Sequence, residues 1–190
     1  MGGFRLGMKA ANIDIIWANN ISELCSEVDQ SNFGSGSIVL DDINKINLSE
    51  IPEHDFLTAG FSCQPFSQAG KKMGIRDRVR ETLFERIVEI IQAKKPKYFL
   101  LENVKRILTM EKGHHFRIIL NALASLDYFL EWRIINPINF GIPQNRDRIF
   151  IFGTCIESTQ KTLVIEKLSV FLTDNYLDSL PWNENSKGEW

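Results

Sequence analysis

The chain has 190 residues, 44% of them hydrophobic and 24% charged, with a formal net charge of −2. That is enough for one domain with a real core, and no apolar run approaches the length of a membrane span. Three scattered cysteines do not make a disulfide framework, and Met1-Gly2-Gly3-Phe4-Arg5 has neither the apolar core nor the cleavage pattern of a signal peptide, so a reducing cytoplasm is expected and no membrane.

In chain order, Ile13 to Ala18 is rich in apolar and β-branched residues and predicts a buried strand ended by Asn19 and Asn20. Ser22 to Asn32 reads as a helix capped by Ser22, with Leu24, Cys25 and Val28 apolar and Cys25 as buried filler. Ser37 to Leu40 leads into Asp41-Asp42-Ile43, a pair of carboxylates that as bare sequence caps a turn.

The short apolar run Phe56 to Ala59 then opens into a loop bracketed by Gly60 and Gly70, with Cys63 near its start and Pro65 stiffening it. A free cysteine packs as a small buried hydrophobe more often than it reacts. Placed in a loop after a strand, a thiol is also a candidate nucleophile, and Gln64 and Ser67 add short polar groups able to hold a phosphate or sugar. Lys71, Lys72, Arg76, Arg78 and Arg80 follow at once and, with Arg146 and Arg148, form either a solvated charged surface or a basic face.

From Arg80 to Lys95 the apolar residues Leu83, Phe84, Ile87, Val88, Ile90 and Ile91 recur at helical spacing, with Lys94 and Lys95 in the last turn and Pro96 beyond. Tyr98 to Leu101 predicts a buried strand leading straight into Glu102. A glutamate there is usually a cap or a surface charge, but beside Cys63 on a neighbouring strand end it becomes a candidate catalytic acid. His114 to Leu126 reads as a helix with Phe116, Ile119, Leu120 and Leu123 on one face. His114 and His115 point in different directions and lack a partner at ligand spacing, so they read as surface residues and no metal is expected. Tyr128 to Ile135 and Arg148 to Gly153 are two further strand signals, and the end of the chain reads as an exposed tail. The alternation predicts an α/β domain with a mostly parallel sheet and helices on both faces.

Gly60-Phe61-Ser62-Cys63-Gln64-Pro65-Phe66-Ser67 closely resembles the catalytic loop of the DNA (cytosine-5)-methyltransferases, although Ser62 stands where that family usually has proline. Arg80-Glu81-Thr82-Leu83-Phe84, Glu102-Asn103-Val104 and Gln144-Asn145-Arg146-Asp147-Arg148 follow in the family's order, the last preceded by a similar loop, Asn139 to Gln144. Gly2 to Gly7 resembles the second half of the family's first, glycine-rich motif.

The resemblance implies a Rossmann-like, S-adenosylmethionine-dependent methyltransferase fold. It implies Cys63 as the thiolate that adds to C6 of a flipped cytosine, Glu102 as the hydrogen-bond partner of that base, and Arg146 and Arg148 as its positioners. Gln64 and Ser67 would grip the nucleic acid backbone, with double-stranded DNA as partner. The cofactor would lie against Gly3, Asn20, Ile21, Asp42, Ile43 and Leu83. Asp42 receives the adenine amino group, Asn20 stands where the family has an acidic residue for the ribose, and Leu83 covers the adenine ring. The product pair is 5-methylcytosine and S-adenosylhomocysteine.

The likeness runs from Met1 to about Gly153 and lacks the start of the first motif and the family's sequence-reading region. The expectation is a partial catalytic domain over residues 1–155, with residues 156–190 starting a linker or recognition region. Three readings stay open: a fragment of such an enzyme, one subunit of a split enzyme completed by a second polypeptide, and a non-catalytic α/β module. A family branch that methylates tRNA has much the same loop.

Overall fold

In the computed structural model, which describes residues 2–61 and 83–156, helices and strands alternate except at two places where one strand follows another with only a 3-10 turn between them. They run α1 (Gly3–Ala10), β1 (Asn19–Asn20), α2 (Glu23–Phe33), β2 (Val39–Leu40), β3 (Phe56–Gly60), α3 (Leu83–Lys94), β4 (Tyr98–Val104), α4 (His114–Ala124), β5 (Tyr128–Ile135) and β6 (Arg148–Cys155). Cys63, Gln64, Ser67, the basic residues from Lys71 to Arg80, and everything after Ile156 lie outside the described residues. No helix among the described residues is long and apolar enough to cross a membrane.

The larger sheet has the order β3-β4-β6-β5. β3 and β4 are parallel, while β6 is antiparallel to both β4 and β5. It follows that β3, β4 and β5 point the same way and β6 alone is reversed. The expected α/β fold is present and most strands share one direction, with the correction that both ladders of β6 are antiparallel. The cause is the connection from β5 to β6, which contains a single short 3-10 turn at Pro137–Phe140. Without a crossover helix, the chain returns alongside the strand it has just left.

Side chains alternate along β4, with Phe99, Leu101 and Asn103 buried. Phe99 and Leu101 join one core with Phe84, Ile87 and Ile91 of α3 and Phe116, Ile119 and Leu123 of α4. α1 meets the opposite face, where Phe4 packs edge-on against Phe150 of β6 at 6.5 Å. Helices therefore cover both faces, and the ends of β3 and β4 emerge between them. At the far end of the sheet the Tyr128 hydroxyl donates to the Pro96 carbonyl at 2.5 Å, and burial, followed by the nearby Cys155, pushes its pKa up to about 12.

Gly153 is where the core admits no side chain. It sits opposite Phe99 across the β4–β6 ladder, and a Cβ added there would fall 2.1 Å from the Phe99 ring. Overpacking of a well-filled core costs about 1–3 kcal/mol, and the Phe99 ring that would have to give way is itself fully buried. Gly153→Ala is expected to destabilise the fold by about 3 kcal/mol, at the top of that range; a urea midpoint unchanged from the parent would contradict this packing.

Three sequence expectations are corrected. Residues 13–18 do not form a buried strand: the ladder holds only Asn19 and Asn20, and Ile16 is 61% exposed. Their partner β2 is equally short, because Gly34 and Gly36, with φ of 99° and 79°, turn the chain just before it. α2 begins as expected, with Ser22 accepting from the Cys25 amide, but it turns its polar side inward. Ser26 and Asp29 are buried, Leu24 and Val28 are exposed, and Cys25 is only half-buried. Asp29 is held there by Arg5 at 3.2 Å and by the Ser37 hydroxyl at 2.8 Å. His115 is buried rather than at the surface. It lies four residues before Ile119 and eight before Leu123, on the same helical row, and its Nε2 is 3.2 Å from Glu111.

Candidate active site

β3 and β4 run side by side, and β3 ends at Gly60 opposite Glu102, two residues before the end of β4. The Phe61 amide donates to the Glu102 carbonyl at 3.3 Å, which sends the chain onward to Ser62 and Cys63 from beside Glu102. A Cβ at Gly60 would lie 3.3 Å from Glu102 Oε2. The glycine keeps that side of the carboxylate open.

Across β4 and β6, Glu102 faces Phe150 and Val104 faces Arg148. Glu102 and Arg148 are thus diagonal neighbours on one face, within reach of long side chains. Arg148 Nε donates to Glu102 Oε1 at 2.6 Å, with both side chains mostly shielded from solvent. This is a short, charge-assisted contact that fixes the carboxylate's rotation. The structure brings these two expected residues together. It leaves Arg146 exposed, its backbone amide donating to Asn136 Oδ1 at 3.3 Å.

The loop that carries Arg148 is held by residues the sequence reading passed over. Asn136 Nδ2 donates to Asp147 Oδ1 at 2.8 Å and to Asn145 Oδ1 at 2.7 Å, and Lys105 Nζ donates to Asp147 Oδ2 at 3.0 Å. The Lys105 and Asn136 hydrogen bonds hold the Asp147 carboxyl below the usual carboxylate range. Asn103, next to Glu102 but on the core side, accepts at its Oδ1 from the Val104 amide at 2.7 Å. Its buried Nδ2 has no partner among the described residues. The only signal for Asn136 was a polar residue at the end of a strand, which is too common to single out.

A second feature lies on the smaller sheet, where β1 and β2 pair in parallel. Beyond their carboxyl ends is a cavity of about 320 Å³ lined by Ile21, Glu23, Leu40, Asp41, Asp42 and Lys45. Clefts at such strand ends are the usual ligand sites of open α/β sheets. Ile21 and Asp42, both expected in the cofactor site, line it. Asn20 stands just before Ile21 and spends its Oδ1 on the Ser22 amide at 2.9 Å. Ile43 turns away into a small core around Ile46, Ile51 and Ile90, and Leu83 packs against the main core; neither lines the cavity. Glu23 is a carboxylate the sequence reading missed, though its place in the first turn after the Ser22 cap was a visible signal. Gly3 is the exposed first residue of α1.

α1 connects the two features. Arg5 donates to the Ser37 carbonyl at 2.7 Å, just before β2, while Phe4 touches Phe150 beside the Glu102–Arg148 pair. The arrangement offers a cavity lined by two aliphatic side chains, three carboxylates and Lys45, and a shielded carboxylate–guanidinium pair on the larger sheet.

The family model described as C-5 cytosine-specific DNA methylase matches residues 1–181. Among curated proteins, the Type II methyltransferase M.NgoBI of Neisseria gonorrhoeae is 45% identical over 153 residues, covering 80% of this chain and 47% of that protein. The Type II methyltransferase M.HaeII of Haemophilus aegyptius is 44% identical over the same shares. The chain thus spans about half the length of the curated relatives it matches. Among solved structures, the Dnmt2 methyltransferase of S. pombe superposes with a TM-score of 0.63 at 24% identity, over 81% of this chain and 48% of that one. A putative DNA modification methyltransferase encoded within an E. coli prophage gives 0.65 at 24% identity, over 80% of this chain and 43% of that one. At that identity the likeness speaks for the fold.

Proposed function

The chain belongs to the C-5 cytosine-specific DNA methylase family, and from that membership we propose that it carries the catalytic machinery for methylating C5 of cytosine in double-stranded DNA. The observation that carries the proposal is the Glu102–Arg148 pair near the end of β4, beside the chain that enters Ser62 and Cys63. DNA is preferred to RNA as the substrate because the curated relatives near 45% identity are Type II methyltransferases. The region that reads the target sequence comes from further polypeptide, in the same chain or as a second subunit, and the reaction takes place in the cytoplasm.

The mechanism follows from what cytosine lacks. C5 is too electron-poor to take up a methyl group until a nucleophile adds at C6. Cys63, as thiolate, forms the C6–S bond and drives electron density toward C5 and N3. A proton taken up at N3 neutralises the negative charge that thiolate addition places on the ring, and the Glu102 carboxylate accepts from that N3–H and from the exocyclic amino group. Arg148 holds Glu102 in the required rotamer, and Arg146, exposed on the same loop, positions the base and the nucleophile's loop. S-adenosylmethionine, when bound, supplies a methyl group on a sulfonium and leaves as S-adenosylhomocysteine. With the methyl group on C5, loss of the C5 proton to solvent water restores the C5–C6 double bond, breaks the C6–S bond and frees the thiolate. None of these groups reaches a base inside a duplex, so the nucleotide is rotated out at a cost of a few kcal/mol, with Gln64 and Ser67 gripping the backbone.

The cavity fits the cofactor's chemistry. Ile21 and Leu40 offer apolar surface for the adenine ring, Asp42 accepts from its amino group, and Glu23 stands ready for the ribose hydroxyls beside the neutral Asn20. Ile43 anchors the loop after Asp42 to the small core around Ile46, and Gly3 lets the start of α1 approach the ligand closely. Calorimetric titration of S-adenosylmethionine into the chain is expected to show saturable binding. Asp42→Ala should weaken it roughly tenfold to a hundredfold, the loss of one hydrogen bond to a charged group. A folded chain that takes up no cofactor would overturn the assignment of this cavity.

A further inference from the structure

We propose that Arg86, on α3, is a positioning residue for the cofactor cavity, holding residues 42–46 in the shape that presents Asp42 and Lys45 to the ligand. The proposal rests on the S-adenosylmethionine reading of that cavity.

Arg86 is a buried cation, 7% exposed, among apolar neighbours on a helix that the sequence marks as amphipathic. A buried guanidinium is costly unless its donors are used, and here they are used on the loop after β2. Nε donates to the Ile43 carbonyl at 3.1 Å, and one terminal nitrogen donates to the Ile46 carbonyl at 2.5 Å. The other terminal nitrogen meets Glu89 at 2.8 Å, which balances the charge from the half-exposed side of the same helix.

Of the loop residues that line the cavity, Asp42 stands just before the first carbonyl Arg86 takes up and Lys45 stands between the two. Ile43 and Ile46 both face inward, packed with Ile51 and Ile90, while Asp42 and Lys45 face the cavity. The turn closes on Asp42 itself: its carbonyl accepts from the Lys45 amide at 2.8 Å and its Oδ1 from the Asn44 amide at 3.0 Å. The inward carbonyls are thus tied to α3 and the outward side chains are left for a ligand. Without Arg86, the buried Ile46 carbonyl would have to turn toward another donor. That rotation would carry Asp42 and Lys45 out of place.

The test compares S-adenosylmethionine affinity, by calorimetry, with thermal unfolding for Arg86→Met, Arg86→Lys and Glu89→Gln. Methionine keeps the apolar stem and donates nothing; its affinity is expected to fall roughly tenfold to a hundredfold, the effect of losing hydrogen bonds from a charged group. Lysine retains a cation and one donor direction and should recover part of that loss. Glu89→Gln leaves both carbonyl contacts intact and should stay within about twofold of the parent, whatever its midpoint.

A folded Arg86→Met chain that binds within twofold of the parent would overturn the proposal. So would affinities that follow the thermal midpoints across all three variants, since that is the signature of plain structural support. If the methionine variant does not fold, the lysine variant decides, with unchanged affinity counting against the clamp. Should the parent itself take up no S-adenosylmethionine, the cofactor reading fails and the clamp is judged by amide hydrogen exchange. Faster exchange at Asn44 and Lys45 in a folded variant, with the Ile91 amide unchanged, would support it; equal protection would refute it.

Discussion

Cys63→Ser is expected to reduce methyl transfer at least about 10³-fold while leaving S-adenosylmethionine affinity within about twofold. A thiol with an ordinary pKa near 8.5 is partly ionised at neutral pH, and its thiolate adds to an electron-poor ring carbon. A serine hydroxyl has almost no alkoxide at that pH, and no general base has been assigned to make one. The described residues that line the cavity proposed for the cofactor fall between Ile21 and Lys45, and the substitution removes none of them. The clearest measurement uses DNA carrying 5-fluorocytosine. Fluorine at C5 cannot leave as a proton does, so the C6–S bond persists and protein remains attached to DNA through denaturation. The serine variant should form no such adduct. A covalent adduct that survives the loss of Cys63 would remove this thiol from the mechanism.

How far the sequence carries can be judged from particular residues. α3, β4, α4, β5 and β6 were legible because each is long enough for its apolar period to be set by one shared core. The Ser22 cap was legible because capping is local chemistry between neighbours in the chain. The inward face of α2 was not, because it depends on Asp29 meeting Arg5 and Ser37 from other elements. The length of β1 was hidden for a similar reason: a strand extends only as far as its partner does, and β2 is cut short by the turn at Gly34 and Gly36. In the candidate site, the apolar run alone placed Glu102 just past a strand end, whereas β4 carries it inside the ladder and runs on to Val104, because Asn103 and Val104 still pair with β6. The bond from Glu102 to Arg148 needed the antiparallel return of β6, which no local pattern in residues 136–147 announces. Arg86 was equally silent, since an arginine on an amphipathic helix ordinarily reads as solvent-facing.

Glu102→Gln is expected to slow single-turnover methyl transfer by roughly 10²–10³-fold, the scale found when one group that stabilises developing charge is removed, while DNA affinity stays within about threefold. Glutamine keeps the length and branching of the side chain, so the ladder around it is undisturbed. What changes is the contact with Arg148, now 2.6 Å from Oε1. The guanidinium has donors only, so it must keep the amide oxygen on its own side. That forces the amide nitrogen toward Gly60, where Oε2 now stands. A donor-only group there can meet N3 of the flipped base but cannot also accept from its amino group. It also carries no negative charge to oppose the positive charge that builds on a ring protonated at N3. Ground-state binding of DNA depends chiefly on phosphate contacts made elsewhere, which is why affinity should hold. Rapid-quench measurement of one methyl transfer per bound duplex, beside equilibrium binding of the same duplex, separates the two quantities. A large loss of affinity with an unchanged single-turnover rate would make Glu102 a binding residue instead, and the Arg148 contact would then serve to hold DNA rather than to balance charge on the base.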